Sequence, residues 1–389
     1  MSCGNGHEAE LGSVRPKVID TVLGPVTLRR AWYHCGRCRH GLAPRDAELG
    51  VTGMSMSPGL AAMNDLAAAA GPFAGAARMI EELAGIRLTV KRVERAAEAS
   101  GTAAAVLVRD RARLISTRTI VPLPPSPLPD KLYAVIDGTG VPMTGKETAG
   151  RQGKGEDGRA RTREVKLAVF FTQDELDEDG YPVRDRDSAS IITTFGPAAE
   201  FGKLVRAEGI RRGAGHIRQF TILGDGAPWI WGIASEKFPE ATQIVDLYHA
   251  REHIHSLTRS AEFMLGDRRD EWLAKRLEDL DYGDIGGIER AVREFPFLGV
   301  KKDEVDRELG YFLANAPRMR YHWFRDRGLF VGSGVVEASC KNLIGARLKR
   351  SGMHWALPGA DAIITLRAEE ASRHWNEICN TDGTQTHTA

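Results

Sequence analysis

The stretch Val121-Pro122-Leu123-Pro124-Pro125-Ser126-Pro127-Leu128-Pro129 constrains the chain more than any other. Each proline removes a backbone donor and fixes φ near about −65°, so these residues can be neither helix interior nor central strand. The chain must change regime here, and its composition does change. Residues 58–100 are rich in Ala, Leu, Met and charge, with Pro72 as their one internal proline after Pro58. Met79, Leu83, Ile86 and Leu88 recur at near-helical spacing, and Thr89 is a natural N-cap for the basic run Val90-Lys91-Arg92-Val93-Glu94-Arg95. Short helices around Gly85 followed by that run suggest a helix-turn-helix, with Lys91, Arg92 and Arg95 as candidate DNA contacts. A generic surface helix reads equally well from the residues alone.

Beyond the prolines the pattern becomes α/β. Strands are expected over residues 131–141, 164–172, 188–195, 220–223 and 244–249, with helices over about 197–209 and 227–238. From about Ser256 to Arg327 the chain is charged and amphipathic with helical periodicity, and a last helix is expected to open near Ser333. Before residue 50 the β-rich runs Val18–Leu23 and Val26–Tyr33 flank Gly24-Pro25, which suggests a hairpin. The sequence thus divides into a β module (1–50), a helical DNA-binding domain (51–120), a proline linker (121–130), an α/β core (131–255), a helical insertion (256–330), the closing helix of the core (331–375) and a polar tail (376–389).

At 389 residues, 42% apolar and 27% charged, the chain has the composition of a folded soluble protein. Its start has no apolar signal region, and no apolar run approaches the ~18 residues of a membrane span, so a cytoplasmic protein without a membrane partner is expected. Its 53 Lys+Arg against 52 Asp+Glu exclude a polycation but not local basic patches. One such patch is Lys341, Arg347, Lys349 and Arg350, a set of candidate phosphate contacts. Another, Arg151–Lys166, is glycine-rich and reads as a mobile loop.

Two strand-like segments each stop on an aspartate beside glycine, in Ile136-Asp137-Gly138 and Gly224-Asp225-Gly226. Strand ends line the ligand crevice of α/β sheets. Carboxylates gathered there repel one another unless a cation intervenes, and hard divalent ions take carboxylate oxygens. Asp-Gly alone is ordinary turn chemistry, so the inference rests on the pair together with Glu337, on the helix expected after Ser333. Two such ions clamp the attacking and leaving oxygens of a phosphoryl transfer.

These segments, with Val245-Asp246-Leu247-Tyr248-His249, Gly332-Ser333-Gly334-Val335-Val336-Glu337-Ala338 and Leu348-Lys349-Arg350-Ser351-Gly352-Met353-His354-Trp355, resemble the Kra group of bacterial insertion-sequence transposases over nearly the whole chain. The resemblance implies a multidomain α/β protein whose RNase H-like mixed-sheet core carries an all-α insertion, preceded by a zinc-ribbon-like module and a helix-turn-helix-like domain. It implies a DDE site of Asp137, Asp225 and Glu337 holding two Mg²⁺ or Mn²⁺ ions, with His249 acting near the scissile phosphate. The expected partners are double-stranded DNA, as transposon ends and target, and a second copy of the chain or a larger assembly on that DNA. A metal-dependent nuclease of the same fold without strand transfer, and a catalytically silent DNA-binding regulator, are the alternatives.

Asp246, His249, His253 and His255 also suggest a transition-metal site, but the Glu of His249-Ala250-Arg251-Glu252-His253 stands beside the second His, unlike a zincin. Gly140–Glu147 falls short of a phosphate-binding loop because Glu147 replaces the required Ser or Thr. Cys3 with Cys35-Gly36-Arg37-Cys38 supplies three candidate zinc ligands, leaving His7, His34 and His40 open as the fourth. The family pattern is a pair of Cys-x-x-Cys knuckles, so an incomplete site whose first cysteine precedes residue 1 is also expected. Cys340 and Cys379 read as packing or incidental thiols.

Overall fold

The computed structural model describes residues 1–153, 158–332 and 334–379, except the side chains of 335–337 and 378–379. It forms two compact units, one of residues 1–107 and 356–389 and one of residues 108–355. The first cut lies inside a helix instead of at the prolines, which group with the second unit and carry neither helix nor strand. The segment 331–375, expected as one closing piece of the core, is divided at Trp355/Ala356.

In the first unit β1 (Glu10–Thr21) and β2 (Gly24–Cys35) form an antiparallel hairpin that turns through Gly24 at φ +104°, a conformation glycine adopts without strain. β3 (His40–Leu42) returns along β2 with Cys35 opposite His40, so the Cys35–Cys38 knuckle is the β2–β3 turn. Helices follow over Pro44–Glu48, Pro58–Ala70, Phe73–Ala84 and Val90–Ser116. Ser57 Oγ caps the second by accepting from the Leu60 N–H at 3.3 Å, and Thr89 Oγ1 accepts from the Arg92 N–H at 3.3 Å to cap the fourth. Gly85, left-handed at φ +68°, ends the third. Helix Leu357–Ala371 packs on helix Pro58–Ala70. It approaches helix Val90–Ser116 so closely that a Cβ on Gly101 would lie 2.3 Å from the Ala362 carbonyl oxygen.

The second unit is built on a five-stranded mixed sheet of order β10-β9-β4-β5-β8. Its strands are β4 (Lys131–Pro142), β5 (Thr162–Gln173), β8 (Ser190–Thr194), β9 (Gln219–Gly224) and β10 (Thr242–Val245), and a two-stranded ribbon of β6 (Glu175–Leu176) and β7 (Pro182–Val183) leads from β5 toward β8. β4, β5 and β8 are successively antiparallel, while β9 and β10 run parallel to β4. Central strands covered on both faces read as continuous apolar runs, and Leu132–Ile136 and Leu167–Phe171 are buried without interruption. Each large side chain among them, such as Phe170, contributes about 1.5–3 kcal/mol by leaving water.

Helices Ala198–Arg211 and Pro228–Lys237 pack together beside this sheet. The region expected to be helical is so, as Leu247–Leu265, Arg269–Tyr282, Ile285–Arg293, Gly299–Asn315 and Tyr321–Arg325. Helix Gly334–Ser339 then lies on β4 and β5 and runs into a π-helical turn over Cys340–Gly345. Trp355 closes the unit by pairing with the end of β4, its N–H donating to the Pro142 carbonyl at 3.1 Å. Among the described residues no helix is long and apolar enough to cross a membrane.

Candidate active site and metal centre

The parallel register of β4 and β9 sets the first pair of acids side by side. Ile136 is paired with Gly224, the last residue of β9, so Asp137 and Asp225 are the next residues along two chain segments whose strands keep the ordinary spacing of about 4.8 Å. Asp137 does not end its strand, as the sequence suggested. β4 continues to Pro142 because Gly138–Pro142 keep pairing with β5, and the strand merely outruns β9 at this level. Asp225 does lie just past a strand end. Its Oδ1 accepts the Ala227 N–H at 2.9 Å, and Gly226 turns the chain at φ +101°.

Asp246 takes the equivalent place after β10, since Val245 pairs with Gly224 and the Asp246 N–H donates to the Gly224 carbonyl at 2.8 Å. The strand expected over 244–249 ends at Val245 because Asp246 caps a helix: its Oδ1 accepts the His249 N–H at 2.8 Å. The same oxygen lies 3.3 Å from His249 Nδ1. This contact raises the His249 pKa to about 9, with the Asp246 and Asp225 charges adding to it against the cost of burial. His249 is thus an imidazolium at neutral pH, beside the two carboxylates.

Asp137 is shifted upward, chiefly by burial and further by the Asp225 charge, while a hydrogen bond from Cys340 and the His249 charge pull the other way. Two oxygen-donor carboxylates crowded at one sheet level, one of them resisting ionisation, suit a hard divalent cation. Cys340 is more than the packing or incidental thiol the sequence suggested: its Sγ donates to Asp137 Oδ2 at 3.2 Å. Tyr311, 86 positions from Asp225 and without any sequence signal, donates its hydroxyl to the Asp225 carbonyl at 3.0 Å. Glu337 lies in the helix that packs on β4 and β5, one turn before Cys340; its side chain, and Ser333 as a cap, lie outside the described residues.

The candidate phosphate contacts separate. Lys341, Lys349 and Arg350 are exposed, and Lys349 Nζ donates to Thr139 Oγ1 two residues beyond Asp137. Arg347 is fully buried with its guanidinium 4.9 Å from the Trp355 ring, so this cation braces the unit and no phosphate reaches it in this form. Arg92 pairs with Asp20 at 2.5 Å and donates to the Ser55 carbonyl at 2.8 Å, tying its helix to the hairpin. Lys91 pairs with Glu94 at 2.9 Å, and Arg95 is exposed. In the expected mobile loop, β5 already begins at Thr162, and Lys166 is buried with Nζ 5.5 Å from the Trp229 ring; Lys154 lies outside the described residues.

His253 pairs with Glu308 at 2.5 Å instead of joining His249 in a metal site. Among the described residues the one cluster of three or more potential metal ligands is Cys3, His7, Cys35 and Cys38, whose ligand atoms all lie within 4.8 Å of one another. It completes the three cysteines with His7, leaving His34 and His40 aside. The Cys3 thiol is lowered to about 6, first by a backbone hydrogen bond from Asn5 and, against the cost of burial, by a backbone hydrogen bond from His7 and side-chain hydrogen bonds with Cys35 and Cys38, so it offers a thiolate at neutral pH. A donor set of three sulfurs and one imidazole nitrogen can bind zinc.

No family model and no curated protein matches the chain. Among solved structures it is similar to the Drosophila P element transposase strand transfer complex, at 10% identity and a TM-score of 0.22, over 77% of this chain and 84% of that one. A superposition this loose carries no argument about function.

Proposed function

We propose that the chain is a DDE transposase of the Kra insertion-sequence type, an RNase H-like enzyme that cuts DNA at the ends of its element and joins those ends to a target. The observation that supports this reading is that Asp137, within β4, and Asp225, just past the end of the parallel strand β9, directly follow the paired residues Ile136 and Gly224 of a β10-β9-β4-β5-β8 sheet whose β4, β5 and β8 are successively antiparallel. Glu337 is the third carboxylate, on the helix that packs against β4 and β5.

In this reading Asp137, Asp225 and Glu337 would hold two Mg²⁺ or Mn²⁺ ions, and the chemistry such ions would supply there is Lewis-acid activation of the attacking oxygen and charge stabilisation of the leaving one. The protein's own groups do the rest. The carboxylates fix where the scissile phosphate sits, and His249, kept cationic by Asp246, offers a donor and a positive charge at that level. Lys341, Lys349 and Arg350 grip neighbouring phosphates. Lys91 and Arg95, at the exposed start of helix Val90–Ser116, contact the transposon end, while Arg92 supports that helix from behind. Zinc at Cys3, His7, Cys35 and Cys38 holds the amino-terminal hairpin, and two copies of the chain bring the two ends together.

The test is incubation of the protein with Mg²⁺ and DNA carrying the element's ends. Cleavage followed by joining is expected, both lost in Asp137→Asn. Cleavage without joining would favour a nuclease, and binding without cleavage a regulator.

A further inference from the structure

The helical array between β10 and the last helix of the second unit reaches back into the carboxylate site through one side chain. Tyr311 lies in helix Gly299–Asn315, and its hydroxyl donates to the main-chain carbonyl of Asp225 at 3.0 Å. The ring itself lies against Gly226, where a Cβ would come within 2.4 Å of Tyr311 Cε2, so the left-handed glycine leaves the space the ring occupies. The ring also stacks on His253, with centroids 3.7 Å apart and planes 22° apart. His253 is held in turn by Glu308, one helical turn before Tyr311. Three contacts thus fix the orientation of one phenol, and that phenol fixes the residue whose Oδ1 is already engaged by the Ala227 N–H.

A half-buried hydroxyl is usually hydrogen-bonded, and any carbonyl would satisfy it. What singles out this arrangement is that the ring and the hydroxyl close on the same two residues, Asp225 and Gly226, from a helix far away in sequence. We propose that Tyr311, braced by His253 and Glu308, is a positioning residue that holds the Asp225–Ala227 turn in the conformation in which the Asp225 carboxylate can share a cation with Asp137. This rests on the reading of Asp225 as a metal ligand. The helical insertion then sets the geometry of the site itself, in addition to any contact it makes with DNA.

Tyr311→Phe keeps the ring and its stacking and removes only the hydroxyl. In full-length, DNA-free protein, hydrogen exchange of the amides of residues 225–227 is expected to quicken about 3- to 10-fold, the scale of one lost hydrogen bond. The half-saturating Mn²⁺ concentration is expected to rise by a similar factor, measured with Mn²⁺ alone well below the melting temperature. A merely structural role would lower thermal stability and leave Mn²⁺ binding by the folded protein unchanged. Should Tyr311→Phe fail to fold, Glu308→Gln loosens the brace from its far end and is expected to raise the Mn²⁺ half-saturation at least twofold.

Asp225→Asn separates the two levels of the argument. If it abolishes Mn²⁺ binding while Tyr311→Phe binds within twofold of wild type, the positioning role is overturned and the site stands. If Asp225→Asn binds Mn²⁺ as wild type does, the site reading fails and the positioning role fails with it.

Discussion

Removing the metal from the amino-terminal module is the perturbation whose outcome the geometry fixes most narrowly. Two thiolates on a tetrahedral zinc with Zn–S bonds of about 2.3 Å lie about 3.8 Å apart. Cys3 Sγ and Cys38 Sγ are separated by 3.8 Å. His7 Nδ1 stands 3.0 Å from Cys38 Sγ, about 0.5 Å inside the edge that zinc would impose, so the imidazole backs away slightly when the ion enters.

Besides that ion, the hairpin is held mainly by polar contacts, the Arg92–Asp20 pair and the pairs of Asp46 with Lys17 and Arg30, and by a small apolar core. Its buried apolar residues include Ala9, Ile19 and Cys35, while Leu11, Val14, Val18 and Leu23 are exposed. Such a core is worth a few kcal/mol at most, against about 10–16 kcal/mol of apparent binding free energy for a structural zinc. Chelation should therefore unfold residues 1–50 and leave the α/β unit intact. Metal analysis of purified protein should find one zinc per chain, and limited trypsin digestion should cut at Arg29 and Arg37 only after chelation or in Cys35→Ser. Zinc-free protein in which those sites resist trypsin equally with and without chelator would refute the reasoning.

Other outcomes follow from individual groups. Asp65 is buried and its carboxyl is raised to about 6 by that burial, so the folded state binds the extra proton and stability falls as pH rises from about 3.8 through about 6. Asp65→Asn should therefore stabilise the protein by about 1–3 kcal/mol at pH 7 and hardly at all below pH 3.8, read as melting temperature at the two pH values. His249, raised to about 9, contributes stability that is complete below about pH 6.5 and lost as pH rises through about 9. Its imidazole resonances should titrate near 9, and near 6.5 in Asp246→Asn; an unchanged midpoint would remove Asp246 as the cause. Arg347→Ala should lower folding stability by about 2–4 kcal/mol, because it empties a buried site against Trp355. Lys341→Ala and Arg350→Ala should change stability by less than about 0.5 kcal/mol, and each should reduce the salt dependence of DNA binding by about one ion.

What the sequence conveys and what it withholds divide along physical lines. The proline run and the strand patterning announce the change from helical to α/β structure because both are local. Asp137 and Asp225 are visible for the same reason: a strand, an acid and a glycine are contiguous in each case. That Asp137 lies within a strand depends on β5 pairing beyond the end of β9, which no local pattern encodes.

Helix Leu357–Ala371 follows the site residues in sequence yet packs on Pro58–Ala70, a pairing set by which apolar faces meet. Arg347 belongs to a basic run that reads as surface, and only its position over Trp355 takes it out of solvent. Cys340 carries no motif, although its place one turn after Glu337 is a signal once that helix is known to lie on β4. His7 was one of three equivalent histidines until the hairpin folded the amino terminus back onto the knuckle, where Cys3 donates its N–H to the His7 carbonyl at 2.9 Å.

The most direct test of the proposed activity is strand joining by the intact protein on DNA bearing the element's ends, in Mg²⁺, with Asp225→Asn assayed in parallel under the same conditions. The account predicts joined products from the wild type and a loss of at least about 10³-fold in the variant, the scale expected when a ligand of a catalytic ion is removed. Joining by Asp225→Asn at the wild-type rate would contradict it.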